Sequence, residues 1–338
     1  MPFLLALSGA LFVAVALLDA LWTTIVPRGA GPLTKRIARG WWAASLWVHR
    51  RRPGGAHGLL ALAGPAILVV GFSAWVLLLW AGWTLLFSAD PGAVVDAGSK
   101  APAELWARVY YVGFVLFTLG TGDYVPAGAS WQVASAAASL SGLFVVTLAI
   151  TYVISVVSAV AEKRQLAGAI HALGSSAPEI VAQAWDGSGF DGLDQHLPPL
   201  GKQLELHHQR HLAYPVLHYF HSTERRAALG PAVAAFDDAL LLLSEAVAED
   251  ARPAPAVVDP PRRAVSAFLS RLGEAFVEPA GEAPPPPATD ALRCAGIPLA
   301  SEYGAGPGDA RRRKLLRGLV EDGGWPWDDA SADRARPR

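Results

Sequence analysis

Phe117-Thr118-Leu119-Gly120-Thr121-Gly122-Asp123-Tyr124 decides how the rest of this chain is read. Two glycines alternate with Thr, Leu and Thr, and an aspartate comes next. Glycine adopts backbone conformations closed to other residues, and a segment held that way can point successive carbonyl oxygens along one axis. Rings of such carbonyls replace the water around a bare cation. An uncharged run of membrane-spanning length lies on each side of the stretch.

Working outward, three runs are long enough to cross a bilayer. They are roughly 3–26, broken only by Asp19, then 59–89 and 131–161, which carry no charge. The first lacks a basic leader and an obvious small-residue cleavage site, so it reads as a retained helix rather than a signal peptide. Asp19 either pairs with an arginine of the adjoining loop or has a structural role near the interface, because intramembrane acids need a partner. Residues 104–117 are too short to span and directly precede the glycine pair; they read as a re-entrant helix, with its partly negative C-terminal end toward the ion path. Residues 34–48 mix bases with Trp41, Trp42 and Trp47, which suits a helix lying on the membrane surface.

Charge sets the orientation. Residues 27–60 hold Arg28, Lys35, Arg36, Arg39, Arg50, Arg51 and Arg52 and no acid, so that loop is expected on the cytoplasmic side. The segment 90–104 is acidic in balance, and Glu162, Lys163 and Arg164 come directly after the third span. The N-terminus is then outside, the C-terminal half cytoplasmic, and the location the cell (inner) membrane. The net charge of −1 offers no argument for nucleic acid as a partner. With one cysteine, Cys294, no intrachain disulfide can form.

The stretch 118–123, TLGTGD, between two apolar spans and after a short helix, resembles the potassium channel family in its two-helix pore form. The resemblance covers roughly residues 61–160. It implies a selectivity filter at Thr118, Leu119, Gly120, Thr121 and Gly122, with Asp123 at the outer pore mouth and Tyr110 and Tyr111 as filter support. It also implies a homotetramer, since one loop per chain cannot encircle an ion and closed symmetry supplies the rest. Potassium ions are the permeant ligand and membrane lipid the surroundings; no cofactor is expected and no enzyme activity. One departure stands out: Thr121 holds the position where the family usually has an aromatic. A non-selective monovalent cation channel is therefore the alternative. A non-conducting membrane sensor that keeps the pore fold as scaffold is the alternative from another class.

On the third span, Gly142 lies near the family's hinge glycine and reads either as a hinge or as a close helix contact. Thr147, Thr151, Ser155 and Ser158 share one face. They either line a water-filled cavity or bond back to their own helix.

The expected fold is an all-α membrane protein: three transmembrane helices, a re-entrant pore helix and filter loop, and a mostly helical cytoplasmic region. The expected division is 1–58, 59–161, 162–251 and 252–338. In the third part, Ser176-Ala177-Pro178-Glu179 fits a capping box, and Val233, Phe236, Leu240, Leu243 and Val247 form a stripe on a helix over 229–251. His207, His208 and His211 form an HHxxH cluster that either holds a regulatory metal or protons or simply belongs to a histidine-rich helix. In the last part, 252–261 and 284–287 read as extended proline-rich linkers around a short helix near 263–276. Arg311–Leu319 reads as a basic patch, solvated or against lipid, and the final residues as disordered. Glycine-rich nucleotide loops and catalytic constellations are missing from the sequence.

Overall fold

Backbone groups in hydrocarbon must bond within their own segment, which makes each apolar run a helix. The structure, a computed structural model, describes residues 1–26, 29–52, 56–120, 122–304 and 306–327. Thr121 and the tail from 328 onward lie outside the described residues. The order is α1 (Pro2–Ile25), α2 (Pro32–Arg51), α3 (His57–Ser88), β1 (Val94–Asp96), α4 (Leu105–Leu116), β2 (Tyr124–Pro126) and α5 (Ala129–His171). Then come α6 (Ala177–Ala184), α7 (Leu197–Ala213), α8 (Leu229–Leu241), α9 (Pro255–Ala275), α10 (Asp290–Cys294) and α11 (Pro307–Asp322). Among the described residues, α1, α3 and α5 are long and apolar enough to cross a membrane. The chain is an all-α membrane protein. Its contacts divide it into two compact units.

The first unit comprises Met1–Trp41, Pro65–Val157 and Ala213–Val216. Its core joins Trp75, Leu79 and Phe87 of α3 to Tyr111, Val112, Phe114 and Leu116 of α4 and Ala138 and Val145 of α5. α1 meets α3 where two glycines face each other. A Cβ on Gly9 would lie 2.6 Å from the Gly82 carbonyl oxygen, and one on Gly82 2.8 Å from that of Gly9. Without a hydrophobic drive between helices in lipid, such small residues let backbones approach and gain dispersion.

Asp19 is 2% exposed, and its partner is the N-terminus of α2 rather than an arginine side chain. Its carboxylate accepts from Leu33 N (2.8 Å), Thr34 N (3.2 Å), Thr34 Oγ1 (2.6 Å) and Trp75 Nε1 (2.9 Å). The first amides of a helix have no intrahelical acceptor, and the helix dipole favours an anion there. Removing the carboxylate leaves four donors unpaired. With hydrogen bonds to a charged group at roughly 1.5–3 kcal/mol each, Asp19→Ala is expected to lose about 3 kcal/mol or more. The readout is the thermal midpoint in detergent; an unchanged midpoint would remove Asp19 from this role.

The second unit comprises Trp42–Gly64, Ser158–Leu212 and Leu217–Arg338. The stripe Val233, Phe236, Leu240, Leu243 and Val247 is buried in its core, together with Val258, Val265, Phe268 and Leu272 of α9 and Leu316 and Val320 of α11. α8 stops at Leu241, short of the expected Ala251. A π-helical turn continues it over Leu242–Ala246, and Val247 then bridges to Leu299. Ser176 is the N-cap of α6 but makes no side-chain capping bond; the Ser175 backbone N and hydroxyl donate to the Glu179 carboxylate instead.

Three further expectations are corrected. Residues 255–261 are not an extended linker; they open α9, with Pro255 in its first turn and Pro260 and Pro261 inside it. An interior proline costs about 3 kcal/mol, and burial of Val258, Val265, Phe268, Leu269 and Leu272 offsets it. Residues 284–287 lie outside helix and strand but are not a free linker, because the carbonyls of Pro284 and Pro285 accept from the Arg313 guanidinium. The basic run on α11 is neither wholly solvated nor free for lipid. Arg312 binds the Asp237 carboxylate (Nε 2.6 Å), and Arg313, 3% exposed, binds Asp238. A planar guanidinium suits such buried pairing.

Candidate functional site

The filter-like loop begins where α4 ends. Phe117 N donates to the Gly113 carbonyl (3.1 Å), Thr118 N to Val115 (3.2 Å) and Leu119 N to Phe114 (2.9 Å), so the loop folds over the last turn of its own helix. Thr118 has φ +57° and Gly120 φ +66°. Positive φ two residues apart is an alternation of backbone hand. Glycine takes it freely, whereas for a β-branched residue such as Thr118 it is an outlier. Strain of this kind costs about 1–3 kcal/mol and concentrates at functional sites. Leu119 is 71% exposed, and Gly122 and Asp123 are exposed as well.

The segment on the C-terminal side of the loop is tied down. β2 pairs antiparallel with β1 in the register Val94↔Pro126, Val95↔Val125 and Asp96↔Tyr124. The Asp123 carbonyl accepts from Ala97 N (2.9 Å). The turn after β1 is held by Asp96, which accepts from Ser99 N (2.7 Å), Ser99 Oγ and Gly98 N. These bonds hold the Asp96 carboxyl below its ordinary pKa. The small sheet was not expected from the sequence; its signal was the pair Val94-Val95 and the Asp-Ala-Gly turn after it.

Tyr111 is 2% exposed and packs edge-on against Phe87 (5.4 Å) and Phe114 (5.3 Å), with its hydroxyl bonded to Ser135 Oγ. It thus locks α4 to α3 and α5. Tyr110 packs on Phe114 (5.2 Å) and Tyr124 (6.4 Å), the residue after Asp123. A further aromatic at the start of the loop is Trp80 of α3, which the sequence did not single out. It stands edge-on to Phe117 (6.1 Å) and donates to the Val109 carbonyl (2.9 Å). Nothing in an unbroken apolar span distinguishes Trp80 from its neighbours.

At Gly142 the geometry is a close contact. A Cβ there would lie 2.3 Å from the Leu116 carbonyl oxygen, and α5 runs unbroken past it. On the exposed face of α5, Thr147 Oγ1 donates to the Leu143 carbonyl (2.8 Å), Thr151 to Thr147 (3.0 Å) and Ser155 to Thr151 (3.0 Å). Each hydroxyl bonds back to its helix, so its proton points inward and its lone pairs remain outward.

The histidine cluster is split by helical geometry. His207 and His211 share the buried face of α7, ring centroids 6.0 Å apart, while His208 is half-buried on another side. Burial, reinforced by Lys163, pushes His207 down to about 3 and His211 well below its ordinary value. Among the described residues no three His, Cys, Asp or Glu side chains are placed to hold a metal ion.

Comparison with known proteins bears on the first unit and on the whole chain. Residues 72–159 match the ion channel family. The uncharacterized membrane protein YdjJ of Bacillus subtilis is 35% identical over 326 residues, which cover 95% of this chain and 94% of that protein. No solved structure matches. The chain belongs with YdjJ to one family of membrane proteins, and its own residues 72–159 are a pore domain of the two-helix, potassium-channel-like ion channel type.

Proposed function

We propose that this chain is one subunit of a tetrameric channel that passes potassium ions down their gradient through the carbonyls of Thr118, Leu119, Gly120, Thr121 and Gly122. The observation that carries the reading is the alternating backbone of the loop, with Thr118 and Gly120 at positive φ directly after a short helix buried between two spans. Strain of this kind persists only where the surrounding structure enforces it, and it concentrates at ligand clamps and functional sites. The Thr118 hydroxyl adds a further oxygen, and Asp123 shapes the outer mouth electrostatically.

Four copies supply the ring. On α5, Leu140, Leu143, Phe144, Ile150 and Ile154 are exposed in a single chain, a face that other subunits and lipid cover. The outward lone pairs of Thr147, Thr151 and Ser155 suit a hydrated cation below the filter. The basic loop and the acidic outer segment orient the protein with its N-terminus outside and its C-terminal half in the cytoplasm. Tyr110, Tyr111 and Trp80 support the loop from behind. No cofactor or chemical step is required.

Cation flux into liposomes bearing the purified protein, under potassium and then sodium gradients, tests the proposal. Potassium flux without sodium flux is expected. Flux of both would show that Thr121 in place of an aromatic costs selectivity. Flux of neither would transfer the assignment to a membrane sensor. A Cβ on Gly120 meets nothing within 4 Å in one chain, so Gly120→Asp clashes with no neighbour of its own subunit. It places a carboxylate on a strained position in the ion path, and flux is expected to fall to that of empty liposomes. A conducting Gly120→Asp variant would sink the filter assignment.

A further inference from the structure

Helix α7 buries two histidines for which the described residues supply no partner. His207 and His211 are 3% and 6% exposed, and both ring nitrogens of each are unpaired. Buried polar atoms without partners are rare and carry a free-energy cost. The two rings line a cavity of about 60 Å³ in the second unit, shared with Lys163, His218 and His221 and walled by Phe268, Leu272 and Leu319. We propose that this cavity binds a small monovalent oxyanion, of the carboxylate or bicarbonate kind, between the Lys163 ammonium and the ring N–H groups of His207 and His211.

Each neutral imidazole has one N–H to donate. Lys163 Nζ donates to the Leu217 carbonyl (3.0 Å) and the Phe220 carbonyl (2.8 Å), which leaves its third N–H. The lining thus offers several donors and the Lys163 ammonium, whose pKa burial lowers to about 8 so that it is charged at pH 7 and below, the complement of an oxyanion. The carboxylate in the lining, Asp322, is already engaged by His218 Nε2 at 2.7 Å. Charge also decides against the main competitor, a metal ion, because an ammonium in the wall repels a divalent cation. Size selects the class. At roughly 15 Å³ per water-sized volume the cavity takes about four such volumes, enough for an anion of three or four heavy atoms. One ammonium balances one negative charge, which disfavours sulfate and phosphate. The apolar part of the wall lowers the local dielectric, which strengthens each hydrogen bond to the ion.

The test uses the full chain in detergent at fixed ionic strength. Thermal unfolding and titration calorimetry are run separately against sodium acetate, sodium bicarbonate, sodium sulfate and zinc chloride. A saturable rise in midpoint with acetate or bicarbonate, and none with sulfate, is expected; the stronger of the two tells an organic carboxylate from inorganic carbon. Lys163→Gln and His211→Phe should each weaken binding about tenfold to a hundredfold, as loss of a hydrogen bond to a charged group does. His208→Gln, on another side of α7, should leave it unchanged. If Lys163→Gln does not fold, His211→Phe and the wild-type titrations still decide. No saturable response to either monovalent anion overturns the proposal. So does an equal response to sulfate, or saturation by zinc alone.

Discussion

Replacing Gly142 by valine is expected to reduce cation flux to that of empty liposomes. The added Cβ would sit 2.3 Å from the Leu116 carbonyl oxygen, 3.1 Å from its carbon and 3.2 Å from its Cα. All three are backbone atoms, so no side-chain rotation relieves the clash; the C-terminal end of α4 must move. Thr118 begins the filter loop two residues later, and a shift of about 1 Å at such a site is enough to cost on the order of a hundredfold in a geometry-dependent process. Overpacking adds about 1–3 kcal/mol of destabilisation, so flux and thermal midpoint should be measured together. Gly142→Ala should lie between valine and wild type. A second substitution separates contact from hinge. Leu143 is 56% exposed on α5, and Leu143→Gly would restore a lost bending point next to Gly142→Ala. If flexibility were the function of Gly142, flux would return; if close approach is, it stays low. Full recovery in the double variant would overturn the contact reading.

Lowering the pH from 7.5 to 5 is expected to destabilise the second unit through its buried imidazoles. His207 has its pKa pushed down to about 3, first by burial and then by Lys163 and His208. His211 moves in the same direction, by burial and then by His218, His207, Lys163 and His208. In the unfolded chain both titrate near 6.5. The unfolded state therefore binds the proton first. The stability that their neutrality contributes is present above 6.5 and is lost progressively as the pH falls toward 3. At pH 5 the loss from His207 is about 2 kcal/mol, from 1.5 pH units at about 1.36 kcal/mol each. His211 adds to it with the same sign. His221, pushed down to about 3 by burial, acts in the same direction, and Asp238, pushed up to about 7 by burial, acts in the opposite one. Against a total of about 5–15 kcal/mol, the share of His207 and His211 is therefore read as the difference in midpoint profile between wild type and the double variant His207→Phe/His211→Phe, measured without added oxyanion. His207→Phe keeps an aromatic ring, removes no hydrogen bond to the described residues, and should remove about 2 kcal/mol of the acid-side loss between pH 7.5 and 5. If the double variant His207→Phe/His211→Phe kept the wild-type pH dependence, these rings would not be its source.

The membrane half of the fold was legible because its signals are local. Long uncharged runs can only be helices in lipid, and the ends of α1, α3, α4 and α5 fall within a few residues of the runs that announce them, α5 continuing to His171. The filter-like loop was legible for a similar reason: alternating glycines state a backbone requirement directly. The second half was less legible where partners are distant in sequence. Arg312 and Arg313 look like a solvated basic patch until Asp237 and Asp238, 75 residues earlier, are brought beside them. Pro260 and Pro261 argue against a helix on propensity, and the apolar face of α9 overrules them. The HHxxH spacing suggested three ligands together, but two of the rings are buried and the third is turned aside by the 100° step of the helix.

By itself, then, the sequence determined the spans, the short helix between them and the position of the glycine pair, because hydropathy and glycine content act within a single segment. Only the tertiary structure decided what Asp19 holds, that Gly142 abuts Leu116, that Trp80 rather than another indole backs the loop, and that His207 and His211 share one cavity with Lys163. Those outcomes depend on which faces pack against each other. Packing is a property of pairs of segments, which no single stretch of residues specifies.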